Sequence, residues 1–453
     1  MIAPPQAAEG DLARRDRDVP GLATVLDPDA FISAVRRASP LADVRSARLL
    51  YLRYKVHSLC RASYRLDVGG EAVDLDVRAC RPEDLPALLA EDGLAWLESS
   101  PLGLGRILLP DQAIVMTIFP NDLKLATLRH LMDAEERPLV LMETLPDRPD
   151  LWYGALRRLG YRPERRFVAE LRSDANGRKV VLKAYTRRAF TRGKHNGTVF
   201  VSQGPLRLAR LLGWSDSRRL IASEWLPGAT LLETFAAAEI DREVVTETGA
   251  ALATLHDQQP EGLPEWTRED EVDAVSDVAE EVGFVCPPLA RRAELLAQRI
   301  AAELASAPAV RLPMHGDFSA AQVLVAPPPR PAAGASRVAI IDLDASCRGD
   351  AVDDLGNLLA HAERQRLDGV HSAGWVESFS SALLDGYRRA TPRGLPERVR
   401  LYTALSLFRK ARQPFRAREP DWPQRTEALL ERAESIALES GRRRHREPAG
   451  LRQ

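Results

Sequence analysis

Two aspartates and one amide lie beside a pair of short apolar runs and are the side chains of this sequence best suited to chemistry. In LPMHGDFSAAQVLV (312–325), Asp317 follows the first apolar residues, and Gln322 comes five residues later, directly before a strand-like run. In VAIIDLDAS (338–346), a second strand-like run ends in Asp342. If the two runs pair as a β-hairpin, the three oxygen-bearing side chains meet at one end of it.

Such a cluster matches what phosphoryl transfer from ATP requires, namely oxygen ligands for magnesium, a carboxylate at the acceptor hydroxyl and a cation at the phosphates. Asp342 would hold the metal that bridges the phosphates, and Gln322 would complete the metal shell through its side-chain oxygen. Asp317 would receive the proton of the acceptor hydroxyl. The candidate cation is Lys183, which ends the strand-like run in KVVLKAY (179–185).

The strings HGDFSAAQVLV and IIDLDASCRGDAVDDLGNLLAH resemble the two signatures of the aminoglycoside phosphotransferase and choline kinase superfamily, HGDxxxxN and IDxxxxxxGDxxxDL. LATLH at 252–256 resembles the helical LAxLH segment of that family. SEWLPGATL at 223–231 resembles its hinge and the glycine turn that follows. The resemblance extends over residues 155–440 and implies a protein-kinase-like fold with ATP and Mg²⁺ as cofactors.

The resemblance also implies roles for individual residues. The catalytic aspartate of the family corresponds to Asp317 and its metal-binding aspartate to Asp342. A later acidic pair corresponds to Asp350 and Asp354, and the second of these usually steadies the catalytic loop. Asp353 competes with its neighbour for that structural role.

Further residues complete the implied site. His315 belongs to the catalytic motif, where we interpret it as a hydrogen-bonding residue that fixes the loop rather than as a general base. Lys183 and the hinge would hold the nucleotide. The hinge residues are Ser223, Glu224, Trp225 and Leu226.

The amide position is a departure from the family pattern, because most members have Asn where this chain has Gln322. The longer side chain keeps a neutral oxygen donor. Glutamine here, together with a unit that precedes the small lobe, resembles the maltokinase and hexosamine-kinase branch. This likeness favours a sugar or amino sugar as acceptor, with an aminoglycoside-like compound as a further candidate.

Lys183 departs from the pattern because its usual partner, a Glu on the following helix, is missing. No Asp or Glu occurs between Lys183 and Asp216, and TRRAFTRGKHNG (186–197) is strongly basic. The partner could lie elsewhere, be a polar group such as Gln203, or be absent. A pseudokinase-like binding or scaffold protein without phosphoryl transfer therefore stays open as an alternative. The basic run itself could contact phosphates or form a mobile surface loop.

The elements around these residues predict an α+β chain with a bilobed, protein-kinase-like fold. The predicted divisions are a disordered tail at 1–25, an N-terminal cap-like α/β unit at 26–150, a β-rich small lobe at 151–226, a helical large lobe with the catalytic hairpin at 227–440, and a basic tail at 441–453. A faint repeat places Arg78 where Lys183 falls, which indicates either duplication or simply two similar hairpins. The acidic stretch 264–283 could be a solvated helix face or a site for a cationic amino sugar.

Composition limits the partners of this chain. It has 63 Lys and Arg against 64 Asp and Glu, so its charge gives no reason to bind nucleic acid or an anionic membrane. The four cysteines form no CxxC pair, and AIVMTIF at 113–119 is too short to span a bilayer. We therefore expect a cytoplasmic protein that binds a small molecule bearing a hydroxyl group. No pattern indicates its oligomeric state.

Overall fold

Helices and antiparallel sheets share the chain, which confirms the predicted α+β class. The computed structural model describes residues 4–90, 100–103, 105–237, 239–306, 308, 310–327 and 336–444. A sheet-rich part precedes a helical part, as expected. Across these residues, none of the helices is both long enough and apolar enough to cross a bilayer.

The first sheet has five antiparallel strands in the order β1-β2-β3-β5-β4. Its strands are β1 (Val44–Lys55), β2 (Leu59–Val68), β3 (Glu71–Cys80), β4 (Arg106–Leu109) and β5 (Ile114–Ile118). The helices of this part of the chain are α1 (Pro5–Arg15), α2 (Leu22–Leu26), α3 (Pro28–Ala38) and α4 (Leu85–Leu89), of which α2 and α3 pack on the sheet. Every second residue of β2 is buried, which is the period of a strand with one face in a core.

The second sheet repeats this topology in the order β6-β7-β8-β10-β9. Its strands are β6 (Ala155–Arg162), β7 (Arg166–Arg172), β8 (Lys179–Tyr185), β9 (Leu211–Ser215) and β10 (Leu220–Glu224). The helices α5 (Thr127–Met132) and α6 (Arg137–Thr144) precede it, and α7 (Arg187–Val199) follows β8. Arg78 and Lys183 each lie third from the end of the third strand of their sheet, so the faint sequence repeat has a structural counterpart.

The remaining chain is mostly helical and contains two small sheets. The helices are α8 (Leu231–Thr234), α9 (Arg242–His256), α10 (Arg268–Val285), α11 (Ala290–Ala305), α12 (Val352–Leu367), α13 (Ala373–Ala390), α14 (Val399–Lys410), α15 (Gln413–Arg416) and α16 (Trp422–Arg444). The short strands are β11 (Ala229–Thr230), β12 (Leu312–Met314), β13 (Val323–Val325), β14 (Val338–Ile340) and β15 (Cys347–Gly349). They pair as β11-β13-β14 and β12-β15.

The N-terminal segment is more ordered than its composition predicts. Within the predicted disordered tail, α1 forms and buries Leu12 completely. Glu9 on this helix accepts hydrogen bonds from Arg418 at 2.7 Å and from the indole of Trp422 at 3.0 Å. The prediction of disorder is wrong for this helix because partners distant in sequence stabilise it. At the other end, α16 extends to Arg444, and the rest of the predicted basic tail lies outside the described residues.

Two helices of the predicted N-terminal unit pack on the second sheet instead of the first. Leu128 of α5 and Leu141 of α6 are fully buried in the same apolar cluster as Phe167 and Leu182. The predicted boundary at residue 150 therefore separates residues that share a core. We propose that the division between the two units falls between β5 and α5, because apolar packing defines a domain better than sequence texture does.

The turn between β6 and β7 is tied to the first sheet through Glu164. Its carboxylate forms ion pairs with Arg78, with Arg61 at 3.4 Å and with Lys124 at 3.1 Å. Its backbone N–H donates to Asp122 at 2.6 Å. The first sheet therefore fixes the position of this turn, which also contributes to the site described below.

Candidate active site

The two apolar runs pair as the predicted hairpin, and this pairing brings Gln322 near Asp342. Strands β13 and β14 pair antiparallel, with Val323 opposite Ile340. Beyond that pair, the N–H of Ile341 donates to the carbonyl of Gln322 at 2.9 Å. Both side chains consequently leave the hairpin at the same end.

Hydrogen bonds to the hairpin position the loop that carries Asp317. His315 is buried, and its Nε2 donates to the carbonyl of Ile341 at 2.9 Å, while its Nδ1 accepts from the N–H of Asp317 at 3.4 Å. Gly316 adopts a φ of +80°, and a Cβ on it would lie 2.5 Å from the carbonyl oxygen of Ala345. Only glycine fits there. With both ring nitrogens engaged by backbone, His315 holds the loop.

Asp354 secures the same loop from α12. It is buried and accepts hydrogen bonds from the backbone N–H groups of His315 at 2.6 Å and Gly316 at 3.0 Å. Nε2 of His256 lies 3.0 Å from Oδ2 of Asp354, the oxygen that accepts from His315, and the hydroxyl of Tyr387 lies 3.0 Å from Nδ1 of the same ring. This His256 belongs to the LATLH segment, so two separate sequence motifs meet at one carboxylate.

The neighbouring acidic residues bind other partners. Asp353 accepts two hydrogen bonds of 2.7 Å from Arg409 and has no contact with the loop among the described residues. Asp350 is buried and pairs with Arg398 at 3.0 Å and Arg268 at 3.4 Å. Asp354, rather than Asp353, therefore makes the loop contacts, while Asp350 joins α10 to the start of α14.

Replacing Asp354 with Asn should destabilise the protein by about 2–3 kcal/mol, because the new NH₂ group would face an N–H donor in a buried site. Chemical denaturation measures this change. The matched control is Asp216→Asn, which removes an exposed ion pair with Lys194 and should cost less than about 1 kcal/mol. Equal stability of the two variants would contradict a loop-securing role for Asp354.

Lys183 finds its acidic partners in the hairpin, not on the following helix. Its Nζ lies 2.8 Å from Asp342 Oδ1 and 3.4 Å from Asp344 Oδ1. Arg166 adds contacts of 2.7 and 2.6 Å to the same two carboxylates. The question that the sequence left open is thereby answered by two carboxylates from elsewhere in the chain. Gln203 instead forms an isolated backbone bridge with Leu206.

This ion cluster sets the charge state of Asp342. Burial raises the pKa of Asp342, but the charges of Lys183 and Arg166 outweigh burial and hold the pKa below its ordinary value. Asp342 also has a φ of +70° and a ψ of +52°, a left-handed conformation that is uncommon and strained for a residue other than glycine. Such strain persists only where the surroundings fix the residue.

Asp344 and α7 fix the turn after Asp342. The hydroxyl of Tyr185 donates to Asp344 at 2.9 Å. From α7, Asn196 donates to the carbonyl groups of Leu343 at 2.8 Å and Ser346 at 3.3 Å. The basic run 186–197 is therefore helical rather than a surface loop, and it contacts the catalytic turn through an amide.

The sequence interpretation missed three members of this site, Arg166, Asp344 and Asn196. Asp344 lies two residues after Asp342 in the same motif, and this position could have identified it as a second acidic residue of the site. Arg166 follows the basic turn between β6 and β7, where nothing in the sequence indicates which acid it meets. The position of Asn196 depends on how α7 packs.

The hinge lies one strand away from Lys183. In the second sheet, Lys183 is opposite Ile221 of β10; Ser223 and Glu224 end that strand, and Trp225 and Leu226 follow it. Leu226 is buried, whereas Ser223, Glu224 and Trp225 are partly exposed. Lys183 and the hinge thus occupy neighbouring strands at the junction with the helical part.

Asp317 is accessible to a ligand, yet enough protein surrounds it to perturb its titration. Burial raises the pKa of Asp317 above its ordinary value, and the carboxylate of Asp342 adds to the increase. Positive charges of Lys410 and Arg162 oppose it. A carboxylate with a raised pKa is a better proton acceptor, which suits general-base chemistry.

The donor set fits a divalent cation that prefers oxygen. Both cation contacts of Asp342 go to Oδ1, so Oδ2 is not used by Lys183 or Arg166. The side-chain oxygen of Gln322 accepts a hydrogen bond from the hydroxyl of Ser319 and retains a second lone pair. One carboxylate and one amide oxygen on adjacent positions are ligands of the type that Mg²⁺ takes.

Comparison with known proteins gives one sequence-level match. A family model described as the phosphotransferase enzyme family matches residues 171–402, more than half of the 453-residue chain. The matched span contains Lys183, Asp317, Gln322 and Asp342. No curated protein sequence gives a significant match.

Solved structures give similarities at low identity. A variant of aminoglycoside 2′-phosphotransferase-IIIa in complex with GDP is 16% identical, with 68% of this chain and 99% of that chain covered and a TM-score of 0.46. A thermostable aminoglycoside phosphotransferase APH(4)-Ia with AMP-PNP and hygromycin B is 19% identical over 63% and 93%, with a TM-score of 0.44. A choline/ethanolamine kinase family protein from Mesorhizobium loti is 17% identical over 68% and 98%, also with a TM-score of 0.44.

Proposed function

Because the chain belongs to the phosphotransferase enzyme family, whose model spans more than half of it, we propose that it transfers the γ-phosphoryl group of ATP to a hydroxyl of a sugar, an amino sugar or an aminoglycoside-like compound. Family membership makes it a small-molecule phosphotransferase. The identities of the nucleotide, the metal and the acceptor are proposed here. The observation that carries the proposal is the meeting of Asp317, Gln322 and Asp342 with Lys183 at one end of the hairpin.

Each residue takes a role that its contacts support. Lys183 and Arg166 would contact the nucleotide phosphates, and the hinge would hold the base. Asp342 and Gln322 would hold Mg²⁺, which would neutralise negative charge on the phosphates. The acceptor hydroxyl loses its proton to Asp317 as its oxygen bonds to the γ-phosphorus. The bond from that phosphorus to the β–γ bridging oxygen breaks, and ADP leaves.

The pseudokinase-like alternative depended on the missing partner of Lys183. The contacts of this lysine with Asp342 and Asp344 take away that argument, because they hold the ammonium group at the proposed phosphate site. Gln322 and the N-terminal sheet remain the features that support a sugar-like acceptor over other small alcohols.

Thermal denaturation with a non-hydrolysable ATP analogue tests the nucleotide and metal parts of the proposal. At about 100 times its Kd, the analogue should stabilise the protein by about 2.7 kcal/mol when Mg²⁺ is present, and by less without it. Turnover against a panel of sugars and aminoglycosides then tests the transfer. The absence of both metal-dependent stabilisation and a phosphorylated product would contradict the proposed function.

The glutamine at the amide position makes its own prediction. Gln322→Asn keeps a neutral oxygen donor, so it should retain activity with a Mg²⁺ requirement shifted by no more than about tenfold. Gln322→Ala removes the donor and should lower kcat/KM by about 10²-fold or more. Titration of activity with Mg²⁺ measures both. The exposed Gln298→Ala serves as the control and should match the wild type. If Gln322→Ala kept the wild-type Mg²⁺ dependence, Gln322 would not be a metal ligand.

A further inference from the structure

A lysine of the helical part is joined to the backbone beside Asp317. Lys410 ends α14, and its Nζ donates to the side-chain oxygen of Asn357 at 2.7 Å. The amide nitrogen of Asn357 donates in turn to the carbonyl of Phe318 at 2.7 Å. Phe318 directly follows Asp317, so two hydrogen bonds connect the ammonium group to the catalytic loop.

A second cation, Arg162, lies beside the ion cluster of Asp342. Arg162 pairs with Arg166 across the turn between β6 and β7, and Arg166 contacts Asp342 at 2.7 Å. The charges of Arg162 and Lys410 both act on the carboxyl of Asp317 and oppose the burial that raises its pKa. Arg162 is thus next to the arginine that contacts Asp342, and Lys410 is linked to the loop that carries Asp317.

Other cations near Lys410 are neutralised by carboxylates. Arg409 pairs with Asp353 at 2.7 Å, and Arg364 pairs with Asp368 at 2.8 Å and with Glu419 at 2.5 Å. These residues carry no excess charge. Asp353, Asp368 and Glu419 are engaged by these arginines and are consequently not available to a ligand.

Lys410 and Arg162 differ from these paired residues. Neither forms an ion pair with any carboxylate in the part of the chain that the structure describes. Burial lowers the pKa of Lys410 to about 8, so the side chain is still mostly protonated near pH 7.

The acidic residues of α10 do not neutralise the positive charges of Lys410 and Arg162. Glu271 contacts Tyr402 at 3.2 Å, and Glu281 pairs with Arg416 and, at 3.5 Å, with Arg412. Both glutamates are buried. Glu271 and Glu281 are therefore engaged by internal partners and are not available to bind a cationic amino sugar.

We infer that the acceptor carries an anionic group, a carboxylate or a phosphate, which Lys410 and Arg162 bind while Asp317 receives the proton of the reacting hydroxyl. The inference rests on the proposed function and narrows its acceptor class. An anion compensates two cations that the protein leaves unpaired, whereas a polycation such as an aminoglycoside would be repelled by them.

A matched set of probes tests the charge of the acceptor at saturating Mg-ATP. The set comprises glucose, glucosamine, glucuronate, glucose 6-phosphate and kanamycin. Glucuronate or glucose 6-phosphate should have a kcat/KM at least about tenfold above that of glucose, with glucosamine and kanamycin below it. The two anions distinguish a carboxylate from a phosphate site. Equal or faster turnover of the neutral or cationic probes would overturn the inference.

Two variants connect the preference to the named residues. Lys410→Met and Arg162→Gln should each reduce the ratio of anionic to neutral kcat/KM by about tenfold. The control Lys194→Met removes an exposed lysine of α7 that pairs with Asp216 and should keep the wild-type ratio. Arg162 lies on an exposed turn, so its variant remains informative even if Lys410→Met fails to fold.

Binding without turnover separates this inference from the proposed function. Thermal shifts with glucuronate, glucose 6-phosphate and glucose are measured for the wild type and both variants in the absence of nucleotide. Anion-specific stabilisation that both variants lose would support the anionic site even if no probe is phosphorylated, in which case the proposed function fails alone. No greater stabilisation by the anions than by glucose would reject the site.

Discussion

Asp317→Asn should lower kcat by about 10²–10⁴-fold, the range that a positioned general base contributes. Asparagine has nearly the same shape but cannot accept the proton of the acceptor hydroxyl. Lys183, Asp342 and the hinge make no hydrogen bond to the Asp317 carboxylate among the described residues, so the affinity for Mg-ATP should remain within about threefold of wild type. Steady-state kinetics and nucleotide titration measure the two quantities separately.

The control for this substitution is Asp216→Asn, an exposed aspartate that pairs with Lys194. It should have wild-type kcat. If Asp317→Asn kept wild-type turnover with an identified acceptor, the assignment of the base would be incorrect. If nucleotide affinity collapsed together with kcat, Asp317 would act on the nucleotide or on the loop instead of on the acceptor.

The pH profile gives a second measurement of the same residue. A general base works when it is deprotonated, so kcat/KM should fall as the pH decreases through the pKa of Asp317. Because burial raises that pKa above its ordinary value, the fall should begin at a higher pH than for an exposed aspartate. The residual activity of Asp317→Asn should lack this acidic limb.

Asp342→Asn should lower kcat/KM by about 10³-fold, equal to about 4 kcal/mol of transition-state stabilisation. The substitution removes the proposed carboxylate ligand of the metal and one of the two acidic partners of Lys183 and Arg166. Mg²⁺-dependent stabilisation by an ATP analogue should disappear with it. The fold should survive, because Asp344 still contacts both cations.

Asp344→Asn is the matched comparison, since this aspartate contacts the same two cations from a position two residues later. It should retain Mg²⁺-dependent stabilisation by the nucleotide, because the metal would bind Asp342. If only Asp344→Asn lost that stabilisation, Asp344 rather than Asp342 would be the metal ligand. Loss in both variants would indicate that the cation cluster, and not a single ligand, determines binding.

Much of the site follows from sequence because its parts are local. The hairpin of β13 and β14 depends on two adjacent apolar runs, so pairing them was enough to place Gln322 near Asp342. Gly316 is required by its positive φ and by the close approach of Ala345, and this glycine is part of the motif that is visible in the sequence. The α+β class was also readable, because alternating and helical periodicities occupy different parts of the chain.

Contacts between distant segments were not readable in the same way. The family resemblance favoured Asp354 for the loop contact, but it left Asp353 as a competitor, because the two are adjacent and the rotation of α12 decides which one faces the loop. It missed that the partners of Lys183 come from the catalytic turn, and it predicted disorder where α1 packs. It also divided the chain at residue 150, although α5 and α6 share a core with the second sheet.

The sequence by itself determined the family-like motifs, the hairpin and the residue types that could hold a metal and accept a proton. Only the tertiary structure decided the partners of Lys183, the contact of Asp354 with the catalytic loop and the unpaired cations beside Asp317. The physical reason is that motifs and turns depend on backbone geometry over a few residues. Ion pairs and burial depend on side chains brought together from distant positions, 39 residues apart for His315 and Asp354 and 159 for Lys183 and Asp342, and their energies exist only once the core has packed.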